Sequence, residues 1–250
     1  MNYDPVSVSW PKALKTFLFS MLIATYFLAP DIENLTSDKS TKNRIQQHLE
    51  AEAQAKREGL FRSAHEGYSK AQTLLGTMYE EGEGVPRDTK EAVHWYKKAT
   101  NQGDAVGQYH LGLMYQHGNG VTEDGQEALR LFQLSANQGY DNAQTQLGVL
   151  NRDGDLVSKN ETEAARWFQL AATQGNATAQ FELGMAYSNG AGVPLDQVSA
   201  HMWLSISDRN GFRRAARPRD DLAESMTAEK IVEAQTASGV CQRSDYVRCR

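Results

Sequence analysis

The sequence predicts an all-α fold, an array of two-helix repeats, and three observations carry the prediction. The stretch Leu75–Gly103 returns as Leu111–Gly139, Leu147–Gly175 and Leu183–Gly211, each copy 36 residues after the last with no insertion or deletion. A fixed period of this length marks an array in which each repeat is one supersecondary unit. Apolar residues fall at helical spacing in both halves of every copy, and paired glycines separate the halves in three of the four.

Taken from the N-terminus, residues 1–12 are irregular and contain Pro5 and Pro11. Lys12 and Lys15 precede an apolar run from Phe17 to Ala29, and Asp31 and Glu33 follow it. As a helix the run spans roughly 20 Å at about 1.5 Å per residue, short of a bilayer core of about 30 Å. Basic flanks before the run and acidic ones after it fit an export signal oriented N-inside. Cutting after Ala29 would place Phe27 where a small residue is wanted, so a cleaved signal peptide within 1–30 and a retained single anchor over 13–29 both stand. Either form delivers the rest of the chain outside the cytoplasm, free or anchored at the membrane.

Residues 31–43 are polar and read as a linker. Residues 44–66 are rich in Ala, Glu, Gln, Lys and Arg and read as an N-terminal capping helix, since the ends of an array need more polar caps. The four units follow as 67–103, 104–139, 140–175 and 176–211. In the first helix of a unit, Ala71, Leu75 and Tyr79 mark the apolar face, with Leu74 and Met78 widening it. Gly76, Gly112, Gly148 and Gly184 recur inside this helix, where glycine costs about 1 kcal/mol against alanine. Close approach of the partner helix is the expected compensation. Gly82 and Gly84, with their counterparts, stop the first helix, because glycine accepts the positive φ of a helix C-cap.

Asp88, Asp124, Asn160 and Asp196 are N-caps of the second helix, and Glu91, Glu127 and Glu163 complete capping boxes in three copies. That helix buries Ala92, Trp95, Tyr96 and Ala99 and their equivalents in the other copies. The third copy departs from the pattern: Asn151 replaces the tyrosine and Leu156 the second loop glycine. A leucine at positive φ is strained, so this loop is expected to take a different turn or to be locally mobile. Residues 212–250 are a C-terminal cap: helices over 212–224 and 227–238, then Gly239 leading into Cys241 and Cys249.

These residues resemble the Sel-one-like repeat, a longer-period relative of the tetratricopeptide repeat. Its pattern of Ala-x3-Leu-Gly-x2-Tyr-x2-Gly-x-Gly-Val, then Asp-x3-Ala-x2-Trp-Tyr-x2-Ala-x3-Gly, is met at every slot from Ala71 to Gly103. Gly107, Leu131, Ser135, Leu204 and Ser207 are the main departures in later copies. The resemblance implies a curved, right-handed α-solenoid whose concave side holds a protein or peptide. It also implies a bacterial, often exported, adaptor in envelope assembly, signalling or host interaction.

Composition narrows the function further. A net charge of −5 and a pI near 5.7 argue against a nucleic-acid partner. Cys241 and Cys249 are candidates for a disulfide in an oxidising compartment, with two free thiols as the alternative; their spacing is not that of a zinc site. No metal, cofactor or catalytic motif is expected, since there is no His-Glu-x2-His, Gly-x-Ser-x-Gly or phosphate loop. Some exported relatives are named as β-lactamases, but the cysteine in each of their repeats is missing here, and Ser9-x2-Lys12 lies ahead of the apolar run. A binding scaffold is therefore expected rather than an enzyme. The alternatives are a cell-wall hydrolase and a structural envelope protein without a dedicated partner. With the distinctive residues assigned to stacking, turning and capping, partner contacts are expected where the copies differ. Those slots are Thr73, Tyr109, Thr145 and Phe181, with His110, Gln116, Arg152 and Ser188 nearby. Tyr109 and Phe181 packing between units is the competing reading of the two aromatics.

Overall fold

The computed structural model describes residues 39–246 and Cys249. The apolar run and the anchor expected over 13–29 lie outside the described residues. The chain divides into two compact units, 1–71 and 72–250. In the first, α1 (Lys39–Glu66) begins at Lys39 rather than Arg44. Nothing in Lys39–Asn43 breaks a helix, so part of the expected linker is helical.

Four helix pairs follow: α2 (Ser69–Glu81) with α3 (Thr89–Asn101), α4 (Ala105–His117) with α5 (Gly125–Asn137), α6 (Asp141–Asp153) with α7 (Glu161–Ala172), and α8 (Ala177–Asn189) with α9 (Gln197–Arg209). From α4 onward each first helix packs on the second helix of its own pair and on that of the pair before. The protein is thus an all-helical, solenoid-like array with the period read from the sequence. A 3-10 turn (Arg213–Ala215), α10 (Ala216–Ala223) and α11 (Ala228–Arg243) complete it, with α11 packed on α9.

The helix-interior glycines lie where the two helices of a pair approach most closely. A Cβ on Gly76 would come 2.6 Å from the Tyr96 ring, on Gly112 2.7 Å from Phe132, and on Gly184 2.8 Å from Leu204; on Gly148 it would overlap Phe168 more deeply. Helix propensity is given up at this slot for a closer contact, with an aromatic ring in three pairs and with a leucine in the fourth.

The loop of each pair closes through its backbone. The amide of the N-cap donates to the carbonyl of the tyrosine slot: Asp88 to Tyr79 at 2.8 Å, Asp124 to Tyr115 at 2.9 Å, Asn160 to Asn151 at 2.8 Å and Asp196 to Tyr187 at 3.0 Å. Because that bond needs no tyrosine side chain, the third loop keeps the turn of the others. The expectation of a different turn is corrected, since Leu156 adopts φ 60° where its counterparts are glycine. The reason lies in the preceding unit. A Cβ on Gly120 or Gly192 would run into the carbonyl oxygen of Thr89 or Glu161, the first residue of the preceding unit's second helix. The corresponding first residue facing Leu156 is Gly125, and Leu156 Cδ2 lies 2.5 Å from where a Cβ on Gly125 would stand. Gly125 keeps its carbonyl but has no side chain, and the leucine side chain fills the space beside it.

The N-caps form as expected, with Asp88 accepting from the amides of Lys90 and Glu91 and Asp124 from those of Gln126 and Glu127. The reciprocal half of the capping box is replaced in two copies. The Glu127 carboxylate accepts from Arg130, and that of Glu163 from Arg166. At the C-terminus α11 runs through Gly239 to Arg243, so Cys241 sits within the helix rather than after it. Cys241 is fully buried in a core with Phe168, Leu183 and Trp203, which holds the helix past the glycine. Its disulfide to Cys249 folds the tail back.

Candidate functional site

Neighbouring first helices meet along a polar seam. Slots 80, 116 and 152 each face the slot thirty residues on, in the next unit. Glu80 Oε2 lies 3.6 Å from His110 Nδ1, an ion-pair distance longer than a hydrogen bond. Gln146 donates to Gln116 Oε1 at 3.1 Å. Arg152 donates to Glu182 and, at 2.7 Å, to Asp153. Tyr96 supports the first rung by donating to Glu80 Oε2 at 2.6 Å and by stacking on the His110 ring at 5.1 Å between centroids. All six rung residues are partly exposed. Ser188 occupies the same slot in the fourth unit, where no further repeat follows.

Electrostatics sharpen the two ends of the seam. Burial pushes the Glu80 carboxyl up, but His110 and the Tyr96 hydroxyl outweigh it and hold the group below the ordinary glutamate range. Burial, then Glu80, push the Tyr96 phenol up. Arg152 beside Asp153 holds that carboxyl below its usual range. Because the Glu80 pKa is lowered on folding, its stabilisation is complete above the ordinary glutamate value and is lost as the pH falls through the lowered one. The stability difference between wild type and Glu80→Gln, from urea unfolding, is therefore expected to be largest near neutrality and to shrink from about pH 5 to about pH 3. A difference that grows on acidification would contradict this assignment.

The expected partner slots separate into two groups. His110, Gln116 and Arg152 are rungs of the seam. Thr73, Tyr109 and Phe181 instead lie at the joints of the stack, and Thr145, at the same slot, bonds within its own helix. Thr73 is buried and donates to Asp104 Oδ1 at 2.9 Å; Thr145 is buried and donates to the Asp141 carbonyl at 2.8 Å. Tyr109 packs edge-on to Tyr140 at 5.3 Å and against Phe132 at 5.9 Å, while Phe181 packs on Phe212 at 5.1 Å. Three of these four side chains face residue 104, 140 or 212, one slot of the following segment, so this position carries inter-unit packing and not an open aromatic wall.

A second ladder was not anticipated. Gln102 donates to Gln72 at 2.7 Å, Gln138 to Gln108 at 2.7 Å, Gln174 to Gln144 at 2.7 Å and Asn210 to Gln180 at 2.9 Å. Gln144 and Gln180 also donate to the Ala136 and Ala172 carbonyls of the preceding unit. Buried amides must find such partners. The signal was present as glutamine at 72, 108, 144 and 180, a recurrence with no apolar or turn-forming role.

Comparison with known proteins agrees with this geometry. A family model described as Sel1 repeat matches residues 69–104, 105–140, 141–176 and 177–207. Among solved structures the chain is similar to a Sel1 repeat protein from Oxalobacter formigenes, at 34% identity and TM-score 0.61 over 69% of this chain and 73% of that one. It is also similar to a protective antigen of uropathogenic Escherichia coli strains that displays an SLR fold. That match has 27% identity and TM-score 0.49 over 76% of this chain and 49% of the antigen. No curated protein matches.

Proposed function

The chain belongs to the Sel1 repeat family, and from that premise we propose that it is a protein-interaction scaffold of the bacterial envelope, holding a protein or peptide segment along the polar seam of its first helices. The seam is the observation that carries the reading. Its rungs are ordered by lateral pairing yet remain partly exposed, and a glutamine amide paired on one side keeps further donors and acceptors for a ligand. Glu80, Asp153 and Glu182 are balanced by Arg152, with Arg87 acting on Glu80 and Lys159 on Asp153, so the seam presents both signs of charge and its complement is a polar segment that carries both. The reading is of binding rather than catalysis.

The Cys241–Cys249 disulfide supports an oxidising compartment outside the cytoplasm. Among the described residues no helix is long and apolar enough to cross a membrane, so anchoring at the inner membrane would rest on residues 13–29. The test is cross-linking in cells from a photoreactive residue at Gln116, with and without Glu182→Lys. One discrete product that Glu182→Lys abolishes, with helix content unchanged, is the expected result. A smear of products would favour a structural envelope protein, and a discrete product insensitive to Glu182→Lys would remove the seam from the interface.

A further inference from the structure

The C-terminal cap encloses a cleft of about 490 Å³ between α9, α10 and α11, away from the seam. Its floor is a stripe of α9 in which His201, Ser205 and Arg209 follow one another at four-residue spacing and so share one helix face. His201 is 5% exposed and Ser205 4%. Their one mutual contact, Ser205 Oγ to His201 Nδ1, is 3.4 Å, at the outer limit of a hydrogen bond. Neither side chain has another hydrogen-bond partner among the described residues. Neither leaves an orphaned buried atom, so the positions they do not use on each other open to the cleft, where water or a ligand completes them.

The charges around the cleft are unequal. Arg219 is neutralised, donating to Asp208 Oδ2 and to Asp220 Oδ1, each at 2.8 Å. Arg209 donates at 2.7 Å to Gln242 and at 2.8 Å to Ser238, both uncharged, and no carboxylate pairs with it among the described residues. Burial and the nearby Arg219 hold the His201 imidazole below its ordinary range, so it adds no charge at neutral pH. The cleft therefore offers one guanidinium without a counter-ion, and Asp220 at the rim disfavours a dianion. Ala223 and Ile231 supply an apolar wall beside these polar groups.

We propose that this cleft is a second binding site, which takes a carboxylate on an apolar stem, with the charge on Arg209, the Ser205 hydroxyl donating to the second oxygen, and the stem against Ile231. The carboxylate belongs either to a small organic acid or to the terminus of a peptide chain.

The test is NMR of the full, oxidised chain, following the Ile231 methyl and the His201 ring. Three probes are titrated: sodium hexanoate, acetyl-Ala-Leu with a free terminal carboxylate, and the same dipeptide as its amide. Saturable shifts with one or both acids and none with the amide are expected. Hexanoate binding alone identifies a small acid, and binding of the peptide acid alone a chain terminus. Arg209→Gln is expected to weaken acid binding about tenfold or more. That variant also loses two bonds to α11, so Asp220→Asn supplies an independent reading. The Asp220 side chain is 66% exposed, and its loss is expected to tighten binding about two- to fivefold. Equal binding of acid and amide, no saturation with either acid, or unchanged affinity in Asp220→Asn overturns the proposal.

Discussion

Truncating Trp203 to alanine is expected to cost about 3–5 kcal/mol, the range for deleting a buried large aromatic side chain. Trp203 is 1% exposed and packs with Phe168, Leu183, Ile206 and Cys241, residues drawn from the third and fourth pairs of helices and the cap. The same slot in the other units is Trp95, Leu131 and Trp167. Trp167 is only half-buried, with the Arg166 guanidinium 4.2 Å above its ring, so water replaces part of what alanine removes there. Trp167→Ala is expected to cost clearly less than Trp203→Ala. Urea unfolding followed by far-UV circular dichroism measures both, and equal losses would show that the cap does not seal the fourth unit as described.

The shape of the transition carries further information. In an array each unit touches only its neighbours, so stability is close to a sum of unit and interface contributions. The contacts of Trp203 lie in the fourth unit, at its joint with the third, and in the cap. Its loss should raise hydrogen exchange first in α8, α9 and α11, while α4 and α5 keep their protection. A single chain would then unfold in a broadened transition, because a local interface has been weakened rather than one shared core.

How far the sequence could be read follows from the range over which each feature is determined. Features set within one unit were legible. The helix-interior glycine at 76, 112, 148 and 184 implied a partner helix too close for a Cβ, and Tyr96, Phe132, Phe168 and Leu204 are that partner. Aspartate at 88, 124 and 196 implied N-caps, and the amides it accepts are those expected. Features set between units were legible only as alternatives, because they depend on how one unit is rotated onto the next. The same-slot reasoning placed Thr73, Tyr109, Thr145 and Phe181 beside a partner, with packing of Tyr109 and Phe181 between units as the competing reading; a small rotation decides between the two, and it sets both aromatics against the following segment and leaves the next residue, as at His110, on the seam. The seam itself joins residues thirty apart, Glu80 with His110, although the repeat is longer. Leu156 illustrates the same limit. Its backbone strain was visible, but its compensation by Gly125 lies in another unit, thirty-one positions upstream. Gly239 was read as a helix end by local propensity, and burial of Cys241 overrode it.

That buried cysteine leads to the second large effect, at the end of the chain. Past α11 the backbone reverses through Asp245 at φ 47° and Tyr246 at φ 65°, a conformation that costs roughly 1 kcal/mol or more for each non-glycine residue. Three contacts offset it. Asn210 donates to the Tyr246 hydroxyl at 2.8 Å, the Tyr246 ring lies over Gly175, and the disulfide ties Cys249 to Cys241. With a sequence separation of 8, the loop is short, and a cross-link of that size contributes about 2 kcal/mol by restricting the unfolded chain. Cys249→Ser, or reduction by dithiothreitol, is therefore expected to lower stability by about 2 kcal/mol. The effect on structure should be local. Cys241 stays in its apolar core and α11 stays helical, but Tyr246 loses its hold on Asn210 and Gly175, and the amides of 244–246 lose protection. Thermal unfolding with and without reductant, paired with hydrogen exchange at those amides, measures the two parts separately. If reduction leaves both unchanged, the tail is held by its packing and hydrogen bonds alone, and the disulfide has no part in sealing the last unit.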